Sequence, residues 1–233
     1  MKKKAGIMSM TSVKMNDLYD FDHTIAADYL KQFEFPWQAL AGIKDLILKL
    51  GPILGEDYVE VKEHVWVHKS ARVFESAYLG EPCIIGPETE VRQCAFIRSS
   101  ALVGSHCVVG NSTELKNVIL FDNVQVPHYN YVGDSILGYK SHMGAGSITS
   151  NVKSDKTLVV VKGEGQSYET GLKKMGAMLG DHVEVGCNSV LNPGSVIGRN
   201  TNIYPLSFIR GIVPANSIVK QDRETVLRQA ETD

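Results

Sequence analysis

The chain has little net charge and no long hydrophobic run, and both absences narrow its possible roles. Its 24 lysines and arginines are balanced by 26 acidic residues, so the formal net charge is −2. A broad positive field that could attract nucleic acid or an anionic membrane surface is therefore missing. The start contains a basic cluster, but no apolar stretch of signal-peptide length follows it and no later segment could span a bilayer. We therefore expect a cytoplasmic protein without nucleic-acid or membrane partners.

Cysteine is also scarce, and its spacing fits no common metal or redox motif. The four cysteines are Cys83, Cys94, Cys107 and Cys187, and none is part of a Cys-x-x-Cys pair. Cys83 and Cys107 each lie four positions after a repeated aliphatic residue, where a small side chain is needed, which favours buried free thiols. His64 and His68 would share one face of a strand, but no third ligand is close in the sequence. We expect no metal site.

What the sequence does contain is an aliphatic residue at every sixth position. These residues are Val67, Val73, Leu79, Ile85, Val91, Ile97, Val103, Val109 and Leu115, and later Leu179, Val185, Leu191, Ile197, Ile203 and Ile209. A period of six fits neither a helix nor a single strand, but it fits a short strand and a turn repeated around a solenoid. Three such hexads make one triangular coil, so positions eighteen apart stack about 4.8 Å from each other. Stacking then buries a core that no single hexad could form.

The residues before the repeat have a different pattern. The segment from Phe35 to Leu50 has apolar residues at helical spacing, begins at Pro36 and ends before Gly51, which are helix start and stop signals. A weaker helix is expected from about Thr24 to Phe33. We interpret residues 1–62 as a helical cap that shields the first coil or contacts another subunit.

The β-helix itself should occupy residues 63–220, with one interruption and one irregular stretch. The repeat vanishes over residues 152–178, which predicts an inserted loop or hairpin, and excursions of this length are often functional. Between Leu115 and Met143 the intervals are five, six, six, five and six residues, and such irregularity often marks a site. The polar residues 221–233 are expected to form a C-terminal tail.

Two cations are expected to stack in the regular part of the repeat. Arg98 and Lys116 each follow a repeated aliphatic residue and are eighteen positions apart. At roughly 5 Å and an effective dielectric of about 20, their repulsion would be about 3 kcal/mol, so an anion such as a phosphate should offset it. The alternatives are that both side chains turn into solvent or that Glu114 pairs with one of them.

A histidine follows in the irregular stretch. His128 lies near Tyr129 and Tyr131 in a run without aliphatic repeat character. An imidazole can take a proton from an attacking nucleophile near neutral pH, so His128 is a candidate general base. A polar turn residue without a catalytic role is the alternative, and the residues alone do not decide between the two.

Four ordered motifs carry a resemblance to a known family. The runs Glu114–Lys116, Pro127–Asp134 and Met143–Asn151 resemble the acetyltransferase domain of the bacterial bifunctional N-acetylglucosamine-1-phosphate uridyltransferase. The run Thr170–Asp181 is more similar to archaeal bifunctional sugar-1-phosphate nucleotidyltransferases that acetylate amino-sugar phosphates. The resemblance covers roughly Val67 to Ile218 and implies a left-handed hexapeptide-repeat β-helix.

The resemblance also implies a reaction and an assembly. In that family, a homotrimer holds acetyl-CoA and a hexosamine 1-phosphate between neighbouring subunits, and a histidine at the His128 position deprotonates the amine. Asn151 would contact the reacting groups, and Ala145 would contact the acetyl donor through its backbone. The residues implied to contact the amino-sugar phosphate are Arg98, Lys116 and Tyr131.

Several positions depart from the bacterial pattern. His142 replaces an asparagine that contacts the sugar, and Cys187 and Pro205 replace small residues that contact coenzyme A. The lysine expected after Asn151 is either Lys153 or Lys156, and we assign Lys156 to the substrate. The neighbouring pair Lys173 and Lys174 in the inserted segment is assigned to the coenzyme.

Three functions are compatible with this pattern, and the resemblance favours the first. The first function is N-acetyl transfer from acetyl-CoA to a hexosamine 1-phosphate, either glucosamine 1-phosphate or galactosamine 1-phosphate. The product of this reaction would feed nucleotide-sugar synthesis. No glycine-rich phosphate loop precedes Val67, so we expect no nucleotidyltransferase domain. The second is a non-catalytic β-helix that regulates or assembles with a separate nucleotidyltransferase chain. The third, a β-helical carbonic anhydrase, requires three histidine ligands that the sequence does not show.

Overall fold

Short parallel strands stacked at a fixed register build most of the molecule. The computed structural model describes residues 13–163 and 165–220, so the basic start and the predicted tail at 221–233 lie outside the described residues. The strands form a left-handed parallel β-helix preceded by a short helical segment, which confirms the predicted fold class. The strands, in chain order, are β1 (Tyr58–Lys62), β2 (Val65–His68), β3 (Arg72–Val73), β4 (Tyr78–Leu79), β5 (Cys83–Ile85), β6 (Glu90–Val91), β7 (Phe96–Val103), β8 (Val108–Asn111), β9 (Glu114–Leu120), β10 (Gln125–His128), β11 (Tyr131–Leu137), β12 (His142–Met143), β13 (Ile148–Thr149), β14 (Val160–Gly163), β15 (Gln166–Glu169), β16 (Ala177–Leu179), β17 (Glu184–Val185), β18 (Val190–Leu191), β19 (Ser195–Ile197), β20 (Asn202–Ile203), β21 (Phe208–Ile209), β22 (Ile212–Val213) and β23 (Ile218–Val219).

The coils have three faces. The first face is an eight-stranded sheet made of β3, β6, β8, β10, β12, β17, β20 and β23. The strands β7, β9 and β11 each bend across an edge, so they belong to two faces. Their first residues form the second face with β4, β13, β18 and β21. Their last residues form the third face with β2, β5, β16, β19 and β22.

Register partners follow the predicted spacing and its irregularities. Val67, Ile85 and Val103 stack on one another at intervals of eighteen. In the irregular stretch the coil shortens to seventeen residues, because Val132 pairs with Leu115. The inward residues Ile85, Val103 and Leu115 are fully buried, and burial of one such side chain contributes roughly 1.5–3 kcal/mol.

The helical segment packs along the third face, whereas a cover over the first coil or a contact with another subunit was expected. Its helices are α1 (Met15–Leu18), α2 (Ala27–Leu30) and α3 (Ile43–Leu50), with 3₁₀ turns at Phe21–His23, Pro36–Gly42 and Gly51–Ile53. The outward residues of the third face beneath it, from Trp66 to Val196, are 0–5% exposed. Tyr19 donates a hydrogen bond to the carbonyl oxygen of Ile136, several coils beyond the first. The segment therefore covers most of this face, while strand β1, within the predicted cap, pairs antiparallel with β2.

The inserted segment leaves the coils without disturbing them. Met143 and Val185 are register partners although 42 positions separate them in sequence. Within the insertion, β14 and β15 form an antiparallel hairpin, and Val159 and Val161 are fully buried. The Tyr168 ring lies 5.3 Å from Phe35, so the hairpin packs on its own chain beside the helical segment.

The cysteines divide into two buried and two exposed thiols. Cys83 and Cys107 are buried, and burial raises the pKa of each thiol to about 12. Cys94 and Cys187 are exposed. Since the thiolate is the reactive form, the two buried cysteines are chemically inert near neutral pH.

Candidate functional site

The predicted site residues lie mainly along the two edges that border the second face. We call the edge between the first and second faces the first edge, and the edge between the second and third faces the second edge. The predicted base and three predicted coenzyme contacts are on the first edge: His128, Ala145, Cys187 and Pro205. The predicted phosphate-binding cations and Asn151 are on the second edge.

Backbone hydrogen bonds connect the first edge from coil to coil. Gly146 donates to the carbonyl oxygen of His128, and Asn188 donates to that of Ala145, each at 2.9 Å. Leu206 donates to the carbonyl oxygen of Cys187 at 2.9 Å. His128 and the Pro205 turn are therefore three coils apart, a rise of about 14 Å. Cys187 lies two coils from His128, because the insertion adds no coil between Ala145 and Cys187.

His128 combines a fixed backbone with an exposed side chain. Its backbone N–H donates to Asn130 Oδ1 at 3.1 Å. Asn130 is buried and donates through Nδ2 to the carbonyl oxygens of Gly144 and Ser147. The His128 side chain is exposed, and its ring has no hydrogen-bond partner among the described residues. The imidazole is thus free to meet a substrate at the first edge.

The turn at Gly144–Gly146 offers one free backbone donor. Gly144 donates to Val185 at 2.7 Å and Gly146 donates to His128 at 2.9 Å, so both N–H groups are already used in the coil. The N–H of Ala145 has no acceptor among the described residues. A single donor at this position can stabilise a developing oxyanion.

A buried carboxylate forms the centre of the second edge. Asp134 is 4% exposed and accepts hydrogen bonds from Lys116 Nζ at 2.9 and 3.1 Å. Asn117 Nδ2 donates to Asp134 Oδ1 at 3.0 Å, and Asn151 Nδ2 donates to Asp134 Oδ2 at 2.5 Å. Asn151 Nδ2 also lies 3.2 Å from the Tyr131 hydroxyl, which brings Tyr131 into the same cluster.

Sequence reasoning missed Asp134, although a signal was present. Asp134 follows Lys116 by eighteen positions and Asn117 by seventeen, the length of the local coil. The spacing that placed Lys116 next to Arg98 also places Asp134 next to Lys116. The sequence analysis considered Glu114 as a compensating anion but did not extend the same spacing to Asp134.

Arg98 and Lys116 do not repel each other as their spacing suggests. The register shifts between Ile97 and Ser99, so that Ser99 lies opposite Lys116. Arg98 Nη1 lies 3.5 Å from Glu114 Oε1, which is the alternative in which Glu114 pairs with one cation. The calculated repulsion therefore does not require a bound phosphate, since each cation has a carboxylate partner.

The two ion pairs differ in how easily a ligand can open them. The side chains of Arg98 and Glu114 are 58% and 31% exposed, and such pairs contribute about 0–1 kcal/mol. The side chains of Lys116 and Asp134 are 22% and 5% exposed. Separating a buried pair leaves an unpaired charge at a cost of about 3–5 kcal/mol. Arg98 is therefore the cation that can exchange its partner for a ligand.

Tyr131 can act as a neutral hydrogen-bond donor. Burial raises the pKa of its phenol, and the carboxylates of Glu114 and Asp134 raise it further. The phenol therefore stays protonated at neutral pH. Because its oxygen accepts from Asn151, its O–H remains available to a ligand.

The remaining predicted residues lie away from these two clusters. His142 is on the first face, where its Nδ1 lies 2.8 Å from Glu184 Oε2 on the next coil, a partner that sequence reasoning did not identify. Lys156 is exposed, whereas Lys153 is held by Thr157 and Asp155.

The lysine pair of the insertion lies at the second edge. The N–H of Met175, the residue after Lys174, donates to Asn151 at 3.0 Å. Within one chain, Lys173 and Lys174 are thus beside the predicted phosphate-binding residues. They are not beside the first-edge residues assigned to the coenzyme.

Some features are absent from residues 13–163 and 165–220. None of their helices has the length and apolar character needed to cross a membrane. These residues also contain no group of three or more His, Cys, Asp or Glu side chains arranged for a metal ion.

The repeat, the three-faced coil and the motifs define a hexapeptide-repeat protein of the left-handed β-helix type. The chain is 31% identical over 150 residues to the bifunctional sugar-1-phosphate nucleotidylyltransferase/acetyltransferase of Sulfurisphaera tokodaii, covering 64% of this chain and 37% of that protein. It is 31% identical over 202 residues to the bifunctional protein GlmU of Methanococcus maripaludis strain C5, covering 85% of this chain and 49% of that protein. The resemblance inferred from the motifs is confirmed, and the chain spans half or less of the length of these relatives.

A family model and two solved structures give weaker likenesses. The family model of the GMPPB C-terminal domain matches residues 81–172. The acetyltransferase domain of PglB from Neisseria gonorrhoeae, solved with acetyl coenzyme A, is 16% identical, with 65% of this chain and 60% of that chain covered and a TM-score of 0.29. PerB from Caulobacter crescentus, solved with CoA and GDP-perosamine, is 17% identical, with 77% and 61% covered and a TM-score of 0.26. At these TM-scores the likenesses support no conclusion about this chain.

Proposed function

We propose that this chain is an N-acetyltransferase that transfers acetyl from acetyl-CoA to the amine of a hexosamine 1-phosphate. The observation that carries the proposal is the placement of complementary groups on the two edges of one face. An exposed imidazole and a free backbone N–H lie on the first edge, while a cation with an exchangeable partner lies on the second. The named activity of the archaeal relatives supports sugar-related acetyl transfer, and the 1-phosphate is our finer assignment.

His128 is assigned the role of general base. Its imidazole takes a proton from the substrate ammonium or from the attacking amine, whose nitrogen then bonds to the carbonyl carbon of the thioester. The carbon–sulfur bond breaks and the thiolate leaves, to be protonated as free coenzyme A. The N–H of Ala145 is positioned to stabilise the negative charge that develops on the carbonyl oxygen.

The second edge is assigned to the sugar phosphate. Arg98 exchanges Glu114 for the phosphate, and the Tyr131 hydroxyl donates to a substrate oxygen. Lys116 and Asn151 contribute from the cluster around Asp134. Cys187 and Pro205 are assigned to the coenzyme along the first edge. His142, together with Glu184, and Lys156 are assigned to the sugar, and because they lie away from both clusters of their own chain, they would contact a sugar bound to a neighbouring chain. Since Lys173 and Lys174 lie at the second edge of their own chain, they can reach the coenzyme only on a neighbouring chain, as a homotrimer would allow.

A coenzyme A release assay with glucosamine and galactosamine 1-phosphates tests the proposal. His128→Ala should lower turnover by about a hundred- to ten-thousandfold, the usual scale for a positioned acid–base group, without a change in fold. His106→Ala is a matched control, because His106 is also an exposed histidine of a coil but lies on the edge between the third and first faces. Full activity of His128→Ala would refute the assignment of the base. An inactive wild type would favour the non-catalytic partner of a nucleotidyltransferase instead.

A further inference from the structure

Asp134 is the only carboxylate in its column of corner residues. In the two preceding coils the same corner is occupied by Ser100 and Asn117, and Gly176 occupies it in the next coil. Ser100, Asn117 and Asp134 all have left-handed backbone conformations, with φ of 52°, 56° and 48°. An uncharged residue therefore satisfies this turn, and the turn geometry does not explain a buried carboxylate at Asp134.

The hydrogen bonds of Asp134 link the coils on both sides of it. Lys116 and Asn117 donate from the preceding coil and Asn151 donates from the point where the insertion begins. Asn117 Nδ2 also donates to the carbonyl oxygen of Leu40 at 3.2 Å, so the helical segment on the third face supports the same cluster. Both partners of Asn117 Nδ2 are acceptors, which fixes the orientation of that amide.

These bonds decide which atoms of the cluster remain for a ligand. Lys116 Nζ has three N–H groups, and two of them are used by the oxygens of Asp134, which leaves one donor. Both acceptors of Asn151 Nδ2 are within the cluster, so the free group of Asn151 is its acceptor oxygen Oδ1. The carboxylate thus fixes the positions of one free donor and one free acceptor at the second edge.

We infer that Asp134 is a positioning residue, which holds Lys116 as a donor for the phosphate-bearing end of the substrate and Asn151 as an acceptor for a sugar hydroxyl beside that end. This inference rests on the proposed acetyl transfer. Asp134 does not touch the reacting atoms, and it acts through its two neighbours. In this arrangement the charge of Lys116 is balanced before substrate binds, so its contribution is directional, whereas Arg98 supplies the exchangeable charge.

Asp134→Asn tests the inference with little disturbance of the turn. Asparagine has the same shape and tolerates the left-handed conformation, but it lacks the charge and the second acceptor oxygen. We expect kcat/KM for the sugar phosphate to fall about 10- to 100-fold, with KM for acetyl-CoA nearly unchanged. The double variant Lys116→Met/Asp134→Asn should be no more active than Asp134→Asn, because Lys116 is no longer oriented once the carboxylate is lost. Recovery of both stability and activity in the double variant would show a merely structural role and overturn the inference.

Asp181→Asn is the matched control. Asp181 is 3% exposed and pairs with Arg199 at 3.2 Å, but it lies at the edge between the third and first faces. Asp181→Asn should lower the unfolding midpoint about as much as Asp134→Asn does, and its kcat/KM for the sugar phosphate should stay within about twofold of the wild-type value.

A labelling experiment separates this inference from the proposed function. An amine-reactive reagent with mass-spectrometric detection should modify Lys116 several-fold faster in Asp134→Asn than in wild type, while exposed Lys173 reacts equally in both. Unchanged labelling of Lys116, or full activity of Asp134→Asn, would overturn the positioning role. If Lys116 is labelled faster in Asp134→Asn but the wild type acetylates no amino-sugar phosphate, Asp134 does restrain Lys116. The proposed function and the positioning role of Asp134 in catalysis would then both be refuted.

Discussion

Arg98→Ala should weaken binding of a hexosamine 1-phosphate with little effect on folding. The side chain is 58% exposed, and its contact with Glu114 is a 3.5 Å ion pair. Such a pair contributes about 0–1 kcal/mol, so the free energy of unfolding should change by less than about 1 kcal/mol. A charge-assisted hydrogen bond from Arg98 to phosphate contributes about 1.5–3 kcal/mol. We therefore expect an affinity loss of about 10- to 150-fold for the sugar phosphate.

Lys116→Ala should differ from Arg98→Ala in its effect on stability, because Lys116 belongs to the more buried of the two ion pairs. This change should also weaken phosphate binding by about 1.5–3 kcal/mol, but it leaves the Asp134 carboxylate buried without its cation. Loss of one partner from a buried pair costs about 3–5 kcal/mol, so Lys116→Ala should lower the free energy of unfolding by a few kcal/mol. Only the Lys116 variant should combine a loss of affinity with a loss of stability.

Isothermal titration calorimetry with the sugar phosphate and with coenzyme A, in separate titrations, measures the binding effects. Arg72→Ala is a suitable control, because Arg72 is an exposed arginine 3.7 Å from Glu90 on the first face. Glu114→Gln should bind the sugar phosphate as tightly as wild type or slightly more tightly, because Arg98 then has no competing carboxylate. Equal losses for both ligands in Arg98→Ala would refute the phosphate assignment and connect Arg98 with the coenzyme or the fold.

Two further predictions concern the thiols and the assembly. A thiol reagent at neutral pH should label Cys94 and Cys187 but not Cys83 or Cys107, because burial raises the pKa of the latter two thiols to about 12. Rapid labelling of all four cysteines in the folded protein would contradict the packed core. Acetyl-CoA should protect Cys187 selectively if the coenzyme lies along the first edge, with Cys94 as the internal control. Light scattering of the purified protein should give a trimer, and a monomer that is fully active at nanomolar concentration would refute a site shared between chains.

Much of the fold was predictable because a β-helix repeats a local rule. Each aliphatic residue of the ladder, such as Ile85, must point inward and stack on its equivalent in the next coil, so spacing alone predicts register. The placement of the helical segment was not predictable in this way. Its apolar stripe shows that α3 buries one side, but it does not show which of several apolar surfaces receives it. The answer depends on outward residues such as Trp66 and Leu102, whose burial is visible only in three dimensions.

The site was predictable in composition and less so in arrangement. Spacing brought Arg98 and Lys116 close in the coil, but the register shift between Ile97 and Ser99 could not be read from residue types. Sequence separation is also a poor guide to distance along the first edge. The insertion between Met143 and Val185 adds no coil, so residues 42 positions apart are neighbours. In a solenoid, the number of coils between two residues determines their distance. An insertion adds residues without adding a coil, so the number of residues between two positions no longer gives the number of coils.

The covered third face limits how substrates and neighbouring chains can reach the site. The helical segment and the inserted hairpin both pack against it, and its outward residues from Trp66 to Val196 are almost fully buried. Within the described residues, both edges with proposed roles border the second face, on which Tyr78, Phe96 and Phe208 are exposed. A sugar phosphate that contacts Arg98 at one edge and His128 at the other must therefore lie across this face. Among the described residues the inserted hairpin packs beside the helical segment, and in the proposed trimer a neighbouring chain would supply the residues that close the site.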